Sequence, residues 1–167
     1  TAGYVVSAVV GIALFVGAVF LAGKHSEKKK LTTKQLVFCA VALALAFATS
    51  YVRVVKMPWG GSVTLCSMLF IVLVANWYGV ATGMMVGFVY GLLQFLQEPY
   101  VLSLFQVCCD YVLAFAALGL AGLFAKSRHG LVKGYILAVF ARGVFHVLGG
   151  YLYWMDYMPE NFPKSLA

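Results

Sequence analysis

The chain has 167 residues, 63% of them apolar and only 10% charged, with a mean hydropathy of +0.95. A soluble domain carries about 25% charged residues because its surface must face water; twelve Lys+Arg and five Asp+Glu cannot cover a body of this size. Composition therefore excludes a soluble globular domain. The net charge of +7 lies in short clusters between apolar runs, the pattern of membrane-surface loops and not of a nucleic-acid face.

A helix needs about 20 apolar residues to cross the hydrocarbon core, and backbone groups in lipid must be satisfied within the span. On that measure the sequence predicts an all-α integral membrane bundle of about six transmembrane helices. The first candidate is Tyr4 to Ala22, which carries no charge; as a cleaved signal peptide it would need lysines before the run, and here they follow it. The second runs from Gln35 to about Val55. Its alternating alanines, Ala40, Ala42, Ala44, Ala46 and Ala48, make overlapping small-xxx-small pairs that suit either internal packing or a partner protein. The third is expected from about Ser62 to Trp77. The fourth, Val80 to Leu96, follows a short Tyr78–Gly79 turn, and its register of Gly79, Gly83, Gly87 and Gly91 points to close internal packing. The fifth spans Leu104 to Ala125 and the sixth about Leu131 to Met155.

Loop charge sets the expected orientation. Lys24, Lys28, Lys29, Lys30 and Lys34 lie between the first two spans, and Lys126, Arg128 and Lys133 between the last two. An even number of spans separates these loops, so both fall on one side, the cytoplasm by the positive-inside rule. The loops at 56–64 and 97–103 and the tail from Asp156 then face outward, with Arg53 and Lys56 in partial dissent. The four cysteines, Cys39, Cys66, Cys108 and Cys109, lie in or beside apolar runs without a CxxC pair and are expected as free thiols.

Ionisable residues inside a span are costly and point to function. Asp110, Arg142 and His146 are the three here. At 1.5 Å per residue, Asp110 lies roughly 9 Å below the outer face, His146 about 15 Å and Arg142 about 21 Å. An Asp110–Arg142 ion pair locking two helices is one reading, weakened by a depth mismatch of roughly 12 Å. In the other, Asp110 faces a cationic or hydrogen-bonding ligand. Arg142, His146, Gly150 and Tyr153 share one helix face, and a flat aromatic solute entering from outside would stack on Trp154 and still reach His146. Trp154, Tyr153, Tyr100, Tyr111 and Trp59 also suit an interfacial aromatic belt. The sequence has no HExxH, no Walker loop and no spaced Ser/His/Asp set, so no catalytic residue, metal site or cofactor is expected. His25 and His129 sit in basic loops, where solvation explains them.

Taken together, Met57–Leu65, Gly87–Phe95, Tyr100–Tyr111 with Ala114 and Phe115, and Ala141–His146 through to Trp154 resemble the thiamine-specific S-component of energy-coupling factor (ECF) vitamin transporters. The likeness covers about residues 35 to 160. It implies a membrane-embedded substrate-binding subunit for thiamine uptake in the bacterial plasma membrane, multi-pass, with ligand loops extracellular. Its implied partners are a transmembrane coupling protein and two ATPase subunits. An S-component for another vitamin or a pyrimidine precursor is the near alternative, and a structural membrane protein the distant one. By resemblance, Asp110 hydrogen-bonds the aminopyrimidine ring, Tyr111 lines the same pocket, and His146 and Trp154 sandwich the ligand. Tyr100 lies near the hydroxyethyl end, Trp59 acts as the lid of the first outer loop, and Ala40 and Ala44 dock on the coupling protein. The family has Glu at the position of Asp110, so this carboxylate reaches about 1.5 Å less far. Residues 1–34 form an added helix and basic loop, and 35–167 the binding domain. The family's last helix, which adds ligand contacts, falls beyond Ala167, so the sequence is expected to be a piece of a longer chain, with a six-helix variant as the alternative.

Overall fold

α1 (Thr33–Ser50) opens on a reciprocal cap. The Gln35 backbone N–H donates to Thr32 Oγ1 (3.4 Å) and the Thr32 N–H to Gln35 Oε1 (2.9 Å), which satisfies two otherwise orphaned donors. The computed structural model describes residues 31–56, 62–64, 66–99, 101 and 104–153, so the expected helix Tyr4–Ala22 and the tail from 154 lie outside the described residues.

α1 ends at Ser50, short of the expected Val55. The Thr49 hydroxyl donates back to the Leu45 carbonyl (2.8 Å), and the Ser50 hydroxyl lies 2.6 Å from the Phe47 carbonyl. Such side-chain bonds compete with the helix ladder. The β-branched run that follows then favours extended chain. It forms β1 (Arg53–Lys56), which pairs antiparallel with β2 (Ser62–Thr64) in the register Arg53↔Thr64, Val55↔Val63 and Lys56↔Ser62, with an irregularity between Arg53 and Val55. The hairpin takes the start of the predicted third span. α2 (Ser67–Tyr78) therefore has only 12 residues, about 18 Å of helix.

Gly79 separates α2 from α3 (Val80–Gln97) with φ +92°, a left-handed conformation that glycine adopts without steric penalty. The next helical segment, α4, is composite. It is α-helical at Leu104–Val107, π-helical at Cys108–Leu113, α-helical again at Ala114–Ala116 and 3₁₀ at Ala117–Phe124. α5 (Gly130–Tyr153) closes the described chain.

α4 lies at the centre, against α2, α3 and α5, while α1 packs on α2 and α3. Its neighbours approach closely because small residues meet there. A Cβ at Gly91 would strike the Tyr111 carbonyl, one at Gly87 the Phe115 carbonyl, and one at Gly83 the Ala75 side chain. The glycine register thus serves internal packing, except Gly79, which makes the turn. Ile71, Ala75, Tyr90, Phe115, Leu118 and Ala138 are among the core residues. The outward faces are apolar as well: Phe38 and Val41 on α1, Met85 and Leu96 on α3, Ile136 and Phe140 on α5. Exposed apolar area on these faces of α1, α3 and α5 is what lipid, not water, tolerates. Among the described residues three helices are long and apolar enough to cross a membrane: Thr33–Ser50, Val80–Gln97 and Gly130–Val147 of α5. The expected all-helical membrane architecture holds, with the small hairpin as its departure.

Candidate ligand-binding site

Asp110 lies in the π-helical turn of α4. A π turn widens the helix and shifts side-chain register, and such turns recur at functional sites. Gly91 lets the Tyr111 carbonyl approach α3 within that turn.

The Asp110 side chain is only 12% exposed, and both carboxylate oxygens have partners. Oδ2 accepts a hydrogen bond from Gln106 Nε2 at 2.7 Å, and Oδ1 lies 3.0 Å from His146 Nδ1 on α5. Gln106 is 1% exposed and sits four residues earlier on the same segment. Gly149 makes room on the α5 side, since a Cβ there would come 2.9 Å from Asp110 Oδ1.

The other imidazole nitrogen, His146 Nε2, accepts from Arg142 Nε at 3.1 Å. The Arg142 guanidinium in turn lies 4.1 Å from the centre of the Phe115 ring, a cation–π contact. Phe115 packs edge-on against Tyr90, with centroids 5.1 Å apart. The direct Asp110–Arg142 pair weighed from sequence gives way to a pair bridged by His146, because the imidazole fills the depth gap between them.

Tyr111 lies beside Asp110 with its hydroxyl donating to the Glu98 carbonyl at 2.7 Å and its ring edge-on to Phe95. Glu98 also pairs with Arg53 of β1, so the end of α3 ties the hairpin to the turn that carries Asp110. Ser50 and Gln94 converge on the same end through Gln97 Oε1, at 2.9 and 3.2 Å. Arg53, which dissents from the positive-inside pattern, is thus neutralised locally.

Of the residues singled out from sequence, Asp110, His146 and Arg142 come together and Tyr111 is adjacent. Ala40 and Ala44 lie on the exposed face of α1, together with Ala48, whereas Ala46 is buried in the core. Trp59, Tyr100 and Trp154 lie outside the described residues. Sequence reasoning passed over Gln106, whose i, i+4 spacing to Asp110 was the available signal. It also passed over Gly149 and Glu98, which act through packing and a backbone carbonyl and leave no such trace. The four cysteines are free, Cys39 and Cys109 buried. Among the described residues no group of three or more His, Cys, Asp or Glu is placed to hold a metal ion.

The family profile described as "Thiamine transporter protein" matches residues 36–166. The thiamine transporter ThiT of Bacillus subtilis (strain 168) is 31% identical over 159 residues, covering 83% of this chain and 79% of that protein. The solved structure of ThiT from Listeria monocytogenes superposes with a TM-score of 0.59 at 24% identity, covering 77% of this chain and 76% of that one; it shares the fold.

Proposed function

The chain belongs to the thiamine transporter protein family, and from that premise we propose that it is the membrane-embedded thiamine-binding subunit of an uptake system driven by ATP through an energy-coupling factor module. The observation that carries this reading is the Asp110–His146 contact, a mostly buried carboxylate held against an exposed imidazole from another helix of an apolar bundle. A charged group placed there is costly and is kept for a purpose.

In this reading the aminopyrimidine of thiamine hydrogen-bonds to Asp110, beside Tyr111. His146 and Trp154 sandwich its rings, Tyr100 lies near the hydroxyethyl end, and Trp59 covers the entrance. The thiazolium cation gains from the aromatic faces and from the nearby carboxylate. The protein forms no covalent bond and needs no cofactor; it binds and releases. Release requires a state of lower affinity, and a partner must drive the change. The exposed Ala40 and Ala44 of α1 form the flat surface on which a transmembrane coupling protein docks, itself powered by two ATPase subunits. The protein is multi-pass in the plasma membrane, with its ligand loops outside, 35–167 as the binding domain and 1–34 as an added segment.

Titration of the detergent-purified protein with thiamine, followed by tryptophan fluorescence, tests this. Saturable quenching at sub-micromolar thiamine is expected, with affinity falling at least about tenfold in Asp110→Ala, the scale of a lost charged hydrogen bond. Quenching by a different vitamin alone, or an Asp110→Ala variant that binds thiamine as well as wild type, overturns the reading.

A further inference from the structure

The contacts of His146 carry more information than their distances. Arg142 Nε bears a hydrogen and has no lone pair to offer, so it can only donate. At 3.1 Å from His146 Nε2 it requires a bare, accepting nitrogen there. The remaining ring proton of a neutral imidazole is then on Nδ1, which faces Asp110 Oδ1 at 3.0 Å. The opposite tautomer would set two N–H groups against each other at Nε2 and a lone pair against a carboxylate at Nδ1. A doubly protonated ring would still oppose Arg142. One protonation state satisfies both contacts.

We propose that Arg142 is a positioning residue that locks His146 as the neutral Nδ1–H tautomer, so that the imidazole presents its one ring proton to Asp110 and holds the carboxylate as a charged acceptor for ligand. The cation makes no hydrogen bond to the carboxylate but dictates, through the ring, which nitrogen of the imidazole is a donor. Phe115 fixes the guanidinium in place from the other side, at 4.1 Å. The negative charge of Asp110 and the positive charge of Arg142 are thereby balanced across a neutral bridge, which lets both exist in an apolar bundle. It also leaves two carboxylate lone pairs beyond those used by Gln106 and His146, so Asp110 keeps acceptor capacity.

The consequence for affinity rests on the thiamine-binding reading; the tautomer does not. The test is ¹⁵N NMR of the detergent-solubilised protein labelled at histidine, with His146→Gln assigning the His146 signals against those of His25 and His129. At neutral pH His146 is expected to show a protonated Nδ1 and a bare Nε2. Arg142→Met is expected to release the ring into a mixture of tautomers and to weaken thiamine binding about tenfold, whereas Arg142→Lys, which still donates, retains the tautomer and most of the affinity. A proton on Nε2 in the wild-type protein overturns the proposal, as does Arg142→Met with both tautomer and affinity unchanged. Should Arg142→Met fail to fold, the wild-type and Arg142→Lys spectra still decide. If thiamine does not bind wild type while the tautomer shifts in Arg142→Met, the lock stands and the proposed ligand falls.

Discussion

Asp110 shows how a single residue gains its chemistry from its neighbours. Its two oxygens are held by Gln106 and His146, and Gly149 leaves the space in which the carboxylate sits. Gly149→Ala places a methyl carbon 2.9 Å from Oδ1, at the end of a side chain that can rotate away. The fold is therefore expected to survive with its thermal midpoint nearly unchanged, while thiamine affinity falls by about 1–2 kcal/mol through the displaced carboxylate. Calorimetric titration beside a thermal melt separates the two effects; equal loss in both would show Gly149 to be a packing residue only. At this scale the sequence was informative about charged groups and silent about space. The presence of Asp110, Arg142 and His146 in apolar runs was legible because ionisable residues are rare there. Which of them touch was not, since depth along a helix axis ignores rotation and side-chain reach.

Among the elements, α4 departs furthest from its expected form. An unbroken span was predicted over 104–125, and the chain instead passes through π and 3₁₀ turns. Helix type depends on how the backbone meets its neighbours, and here α3 presses its glycines against the carbonyls of Tyr111 and Phe115. Backbone atoms cannot rotate aside. Gly91→Ala is thus expected to cost about 1–3 kcal/mol, the usual scale of overpacking, and to lower the melting midpoint by several degrees. Gly143→Ala, where a Cβ meets nothing within 4 Å, is the control and should leave the midpoint unchanged or slightly raised. Equal midpoints for the two variants would remove the close-approach account of the α3–α4 interface. Glycine spacing was the signal that made this contact legible; the partner it touches was not written in the spacing.

For the whole molecule the open prediction is orientation. Cys66 is exposed at the start of α2, on the side assigned to the exterior, and Arg128 lies in the basic loop assigned to the cytoplasm. With Cys39, Cys108 and Cys109 replaced by Ala, a membrane-impermeant maleimide added to intact cells is expected to label Cys66. In the background that also lacks Cys66, Arg128→Cys should react only after permeabilisation. The reverse pattern would invert the topology and place the Glu98 end of α3, with its hairpin, on the inside.

Sequence by itself determined the solvent of this protein. Too few charges to face water, and apolar runs punctuated by basic loops, leave lipid as the environment, because that argument needs only composition and chain order. It also placed the helix ends to within a residue or two where a glycine turn marked them, as at Gly79 between α2 and α3. Tertiary structure decided what happens between them: the π turn at Asp110, and the bridge from Asp110 through His146 to Arg142. Those outcomes depend on distances between residues far apart in the chain, and such distances are set by packing rather than by any local pattern.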